Sequence, residues 1–238
     1  MKLFIVLWLA EAVFSALFIV AGHPVSTKKG FGFKMAACAL YMANGLYAFS
    51  LSDKNTYGVI ILLGLIGGLI GDVFLSADPF VRERSDPKLS FMLVLFGGVF
   101  FLAGHIAYMV AFLRLLLDAH AFRFLPFAAL WGGMLLFFAL LFKIADLHAG
   151  KYTLPVALYA CGLCCMFALS VYAAVFVVTA PMLRCILVAA PILFVTSDVT
   201  LAMISANKKR FGSLAFRAFS LTTYFLAQML FGISIALQ

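Results

Sequence analysis

Runs of about 20 apolar residues, parted by short polar joints, recur along the chain from end to end. A helix crossing the hydrocarbon of a bilayer needs such a run. Eight can be placed, near 3–22, 31–51, 57–77, 89–113, 124–143, 153–178, 182–205 and 214–236. Lipid offers no partner to an open backbone N–H or C=O, and the period-two alternation of a barrel strand is absent, so the spans are predicted to be α-helices. The joints are too short for a soluble domain. The chain therefore reads as one all-α, polytopic transmembrane bundle of eight spans. Lys2 ahead of an apolar run could imitate a secretory leader, but Glu11 interrupts it and no Ala-x-Ala site follows, so span one is expected to be retained.

Composition supports the same reading, because 66% of the 238 residues are hydrophobic and 11% charged, far from a soluble domain. The net charge of +8 would suggest nucleic acid in a soluble protein. Here the bases sit in joints rather than along a stripe with exposed aromatics, so no nucleic-acid partner is expected and the surroundings are membrane lipid. They are topology signals instead. The joints after spans one, three, five and seven, with their helix ends, hold Lys28, Lys29, Lys34, Arg82, Arg84, Lys88, Lys143, Lys151, Lys208, Lys209, Arg210 and Arg217; the opposite face holds Lys2, Lys54, Arg114, Arg123 and Arg184. The positive-inside rule then places both termini on the non-cytoplasmic side of the host membrane, either a bacterial inner membrane or an internal eukaryotic one. Cys38, Cys161, Cys164, Cys165 and Cys185 all lie in apolar runs and read as packing residues.

Against this apolar background the polar exceptions stand out. Gly71-Asp72-Val73-Phe74-Leu75-Ser76 and Ser197-Asp198-Val199-Thr200-Leu201-Ala202 both read small-Asp-Val-x-Leu-small, deep in spans three and seven. An ionised Asp in hydrocarbon costs roughly 3 kcal/mol, so each needs a partner, a proton or a wet cavity. Span one carries Glu11 one turn from Ser15. Span two carries Tyr41, Asn44 and Tyr47, with Asn44 suited to an interhelical hydrogen bond. Span three is rich in small residues at Gly64, Gly67, Gly68 and Gly71, which permit close approach of a neighbour. His105 and Tyr108 share a face of span four, and His105 is the one histidine at depth, since His23, His120 and His148 fall in joints or at span ends. Spans five and six carry no mid-span charge and are expected to be scaffold. Pro191 precedes Asp198 and could bend span seven toward a cavity. In span eight Tyr224 and Gln228 lie one turn apart. The matching motifs in spans three and seven suggest a four-plus-four tandem repeat about an axis along the membrane normal. The joint Asp78 to Lys88 is expected to be a solvated connection.

The inward polar set is thus Glu11, Asp72, His105, Tyr108, Asp198, Tyr224 and Gln228. Two carboxyl groups in low dielectric do not both ionise readily, so the aspartates are expected to share a proton. That supplies an acid beside an anion, the logic of glycoside hydrolysis. It would serve equally as a proton relay in a membrane carrier. No Gly-x-Ser-x-Gly elbow or His-Glu-x-x-His is present, and one deep histidine is too few for a three-His zinc site. Asp72, His105 and Asp198 could hold zinc, but no metal and no cofactor is expected. Oligomeric state leaves no mark in the sequence.

Four pieces resemble the lysoplasmalogenase, or YhhN-like, family of multi-pass membrane proteins: Gly71-Asp72-Val73-Phe74-Leu75, Gly104-His105-Ile106-Ala107-Tyr108, the Ser197 to Ala202 run, and Arg217 followed by Thr222-Thr223-Tyr224-Phe225-Leu226-Ala227-Gln228-Met229-Leu230. Their order and the eight-span plan fit the family; span one and the joint Arg82 to Lys88 do not contribute. The resemblance implies an enzyme that hydrolyses the vinyl ether bond of lysoplasmalogens to a fatty aldehyde and glycerophospho-ethanolamine or -choline. Asp72 and Asp198 would then be catalytic. His105, Tyr108, Tyr224 and Gln228 would hold the carboxyl groups and water, and Arg217 would hold the phosphate of a lysophospholipid substrate.

Overall fold

The computed structural model describes residues 2–21, 28–83, 86–147 and 150–238, and His23, Arg84 and His148 lie outside them. The described residues form eight long helices: α1 (Lys2–Ala21), α2 (Lys28–Leu51), α3 (Thr56–Glu83), α4 (Pro87–Asp118), α5 (Phe124–Ile144), α6 (Thr153–Phe176), α7 (Pro181–Ala206) and α9 (Leu214–Ser234). A four-residue helix α8 (Lys208–Phe211) joins α7 to α9, and 3-10 turns occupy Gly150–Tyr152 and Ile235–Leu237. There is no strand among the described residues.

Seven of the long helices are long and apolar enough to cross a membrane; α2 is the exception, because Lys28, Lys29, Lys34 and Asn44 dilute it. Yet α2 packs on α1, α3 and α9, and its buried residues Cys38, Tyr41, Asn44 and Gly45 face protein. An eight-span bundle with α2 inside it fits. The outward faces are apolar, with Leu9, Val20, Leu125 and Ile144 exposed, as lipid-facing positions must be.

The neighbour relations repeat. Contacts α1–α2, α2–α3 and α3–α4 recur as α5–α6, α6–α7 and α7–α9, and the halves join by α4 on α6 and by α9 on α2. This is the adjacency that a tandem four-helix unit produces, and it puts Asp72 and Asp198 on corresponding helices.

The α3–α4 seam explains the glycines. A Cβ on Gly67 would lie 2.8 Å from the Cα of Gly104, and one on Gly104 would lie 2.8 Å from the carbonyl oxygen of Gly64. These obstacles are backbone, which cannot swing aside, so the helices touch only because both positions lack a side chain. Gly67→Ala is expected to cost about 1–3 kcal/mol. A melting temperature in detergent equal to that of the parent protein would refute this close packing.

One expectation is corrected. Asp78 is not in a solvated joint: α3 runs on through Pro79 to Glu83, and buried Asp78 accepts a 2.5 Å hydrogen bond from the Ser90 hydroxyl of α4. Asp86 caps α4 by accepting from the N–H groups of Lys88 and Leu89, so little remains of a loop. Pro191 lies inside α7, which continues to Ala206. The carbonyl of Leu187, four residues earlier, loses its helical donor to the proline. It accepts instead from the Ser170 hydroxyl of α6 at 2.6 Å, the kind of rescue a membrane interior demands.

Candidate active site

Asp72 sits in mid-α3 and is 2% exposed. Three side chains from two other helices converge on it. Lys34 of α2 places its Nζ 2.8 Å from Oδ1, with the two side chains only 12% and 4% exposed. Tyr224 of α9 donates to Oδ2 at 2.6 Å, and the Cys38 thiol of α2 donates to the same oxygen at 3.3 Å. The chain of bonds continues: Gln228 Nε2 donates to the Tyr224 hydroxyl at 3.1 Å, and the Tyr108 hydroxyl of α4 donates to Gln228 Oε1 at 2.8 Å. Helical spacing sets this up, since Lys34, Cys38 and Tyr41 lie at i, i+4 and i+7, and Tyr224 and Gln228 at i and i+4.

Asp198 belongs to a second branch. The Tyr159 hydroxyl of α6 donates to its Oδ2 at 2.6 Å and lies 3.2 Å from His105 Nε2 of α4. No cation pairs with Asp198 among the described residues. No hydrogen bond joins the branches there either, and the Phe194 ring touches a member of each, 5.5 Å from Tyr224 and 4.7 Å edge-on from His105. Ring edges of Tyr41, Phe101 and Phe194 around Tyr224 wall the region with aromatic surface.

The structure therefore brings Asp72, Tyr108, Tyr224 and Gln228 into one branch and His105 and Asp198 into the other. Glu11 joins neither. It is buried on α1 and accepts from Ser15 of its own helix at 2.7 Å, and no hydrogen bond or ion pair among the described residues links it to either aspartate. That hydrogen bond stays within its own helix, so depth alone did not place Glu11 at the aspartates. Arg217 is partly buried on α9 without a side-chain partner among the described residues. It lies seven residues before Tyr224, on the same face and about 10 Å nearer the helix start. Asn44 serves packing: Trp8 of α1 donates to it at 3.1 Å, and it donates to the Met229 carbonyl at 2.9 Å.

Sequence reasoning missed Lys34, counted among the topology bases, and Tyr159, in a span taken for scaffold. A signal existed for each. Lys34 shares a face with Cys38 and Tyr41, and a tyrosine hydroxyl deep in an apolar helix requires a partner. Among the described residues no three His, Cys, Asp or Glu side chains gather as metal ligands would.

Among the described residues the arrangement holds one carboxyl group against an ammonium and the other against a phenol alone. The fold and these side chains define a multi-pass α-helical membrane protein with an acidic cluster on each of two corresponding helices of its four-helix halves. The model of the YhhN family matches residues 29–235, from the start of α2 to the end of α9, and the chain belongs to that family, which includes lysoplasmalogenases. α1 and its Glu11 fall outside the match. No curated protein and no solved structure matches the chain.

Proposed function

We propose that the protein hydrolyses the vinyl ether bond of lysoplasmalogens, releasing a fatty aldehyde and glycerophospho-ethanolamine or -choline. The observation that carries this reading is the unequal pairing of the two aspartates: Lys34 supplies a counter-charge to Asp72, whereas among the described residues Asp198 has only the Tyr159 hydroxyl. Asp198 is then the carboxyl group that holds the proton, and Asp72 the anion. Vinyl ethers open by protonation of the alkene carbon remote from oxygen, which leaves an oxocarbenium ion. Asp198 delivers that proton, and Asp72 stabilises the cation and takes a proton from the attacking water. The resulting hemiacetal collapses to aldehyde and alcohol as Asp72 protonates the departing glycerol oxygen and Asp198 recovers a proton from the hemiacetal hydroxyl. Arg217, above Tyr224 on the same helix face, would meet the phosphate. By the Lys and Arg balance, the rim where α2, α4 and α9 begin would face the cytoplasm.

Purified protein in detergent, supplied with lysoplasmenylethanolamine, tests the reading through aldehyde release. Absence of turnover on any alkenyl lipid would remove it, and proton-driven flux in liposomes would then favour a carrier. Tyr159→Phe keeps the ring against His105 but deletes the hydroxyl that orients Asp198. It is expected to lower kcat about tenfold to hundredfold with KM unchanged. An unaltered kcat would mean that this hydroxyl has no part in positioning the acid.

A further inference from the structure

Tyr41 of α2 is fully buried, and its hydroxyl makes no hydrogen bond among the described residues. On its helix it continues the face that carries Lys34 and Cys38, and both of those side chains bind Asp72. Its ring also meets the ring of Tyr224, the phenol that donates to Asp72, edge to face at 6.4 Å. Contacts on two helices therefore direct Tyr41 to the same carboxyl group.

The register of α2 on α3 sharpens this placement. Lys34 faces Asp72 and Gly45 faces Leu65, so the helices run antiparallel and the backbone of Tyr41 stands about one turn from Asp72, on the side away from Lys34. A long side chain in a helix leans back toward the helix start, which carries this phenol toward the level of Cys38 and Asp72. An ionised carboxylate offers about four lone-pair sites. Lys34 fills one on Oδ1, and Tyr224 and Cys38 fill two on Oδ2. One acceptor on Oδ1 is left, and one hydroxyl lacks a partner. A buried hydroxyl in that condition calls for a bound group to complete it, and water is the smallest group that both accepts from a phenol and donates to a carboxylate.

We propose that Tyr41 holds the water that the reaction consumes, donating to its oxygen while the water donates to Asp72. The assignment rests on the hydrolase reading and adds the residue that positions the nucleophile. Once Asp198 has protonated the alkene, the water oxygen forms its bond to the oxocarbenium carbon, and the proton it sheds passes to Asp72, leaving a neutral hemiacetal. The phenol keeps its own proton throughout, so Tyr41 is a positioning residue. Ser76 is the other buried hydroxyl without a partner among the described residues. It lies one turn beyond Asp72 on α3, toward the Lys34 end, and the contact with Tyr224 selects Tyr41 over it.

Tyr41→Phe deletes that hydroxyl and nothing else. Because the group has no protein partner, the variant should not melt below its parent, and kcat is expected to fall about tenfold to hundredfold at unchanged KM. The nucleophile itself can be read by competition. In methanol–water mixtures either solvent captures the oxocarbenium ion, giving aldehyde or a methyl acetal, and the acetal fraction in a single turnover measures how firmly water is held. Tyr41→Phe is expected to raise that fraction about fivefold, whereas Ser76→Ala leaves it at the parental value. An unchanged fraction in Tyr41→Phe, or a rise confined to Ser76→Ala, overturns the proposal. A crystal structure that resolves waters supplies a test free of turnover, with a water expected in hydrogen-bond reach of both the Tyr41 hydroxyl and Asp72. Absence of that water, or a Tyr41 hydroxyl bonded to a protein atom, overturns the assignment even in an active enzyme. Its presence in a protein that turns over no alkenyl lipid leaves the water site standing and removes the hydrolase reading.

Discussion

Asp198→Asn is expected to reduce aldehyde release by about 10²–10⁴-fold while the protein melts within a few degrees of its parent. The amide has the shape of the acid, and its oxygen still accepts the Tyr159 hydroxyl that now bonds Oδ2 at 2.6 Å, so neighbouring side chains have no reason to move. No cation is paired with Asp198 among the described residues, so neutralising it strands no opposite charge. What the variant lacks is a proton to give. The size of the loss is that of a positioned general acid, and it should appear in kcat rather than in KM. Single-turnover measurement on a vinyl ether lysolipid would read it directly. Retention of more than about a tenth of parental kcat by a folded Asp198→Asn protein would require another acid and would end the assignment made here.

Lys34→Met is expected to destabilise the protein by about 3–5 kcal/mol, the typical cost of removing one partner of a buried ion pair. Screening offers little relief, because the paired side chains are only 12% and 4% exposed. Methionine fills a similar volume, so the loss reports the stranded Asp72 carboxylate rather than a cavity. The double variant Lys34→Met/Asp72→Asn removes both charges and keeps Tyr224 and Cys38 as donors to the amide oxygen. It should recover most of the stability and none of the activity. If Lys34 were merely a topology marker, the single variant would melt like the parent protein, and thermal denaturation in detergent separates these outcomes.

The helical bundle was legible because an apolar run of span length leaves the backbone few alternatives in lipid. The aspartates and His105 were legible because a charge or an imidazole at depth has to be explained. Lys34 was not, since a long aliphatic stem lets a lysine near a helix end reach outward to the interface as readily as inward to a carboxylate, and residue order does not tell which. Tyr159 hid for a related reason: its ring suits an apolar helix, and only the hydroxyl betrays a second task. Glu11 erred in the opposite direction. It looks like Asp72 along the chain, but Ser15 one turn away satisfies it locally, so depth marked a polar residue without telling whom it serves. Asp78 was misplaced because the stretch from Asp78 to Lys88 mixes acids and bases as a solvated joint does, while the structure carries α3 past Pro79.

Phe194 touches both Tyr224 and His105, and no hydrogen bond among the described residues joins the two branches on either side of it. Under the proposed chemistry, charge gained at one aspartate has no hydrogen-bonded path to the other among the described side chains. The reacting lipid is itself the bridge, returning to one carboxyl group what it took and discharging the other as the hemiacetal falls apart. Such an enzyme would be rearmed by its own product-forming step, ready for the next molecule without drawing on bulk solvent for anything beyond the single water it consumes.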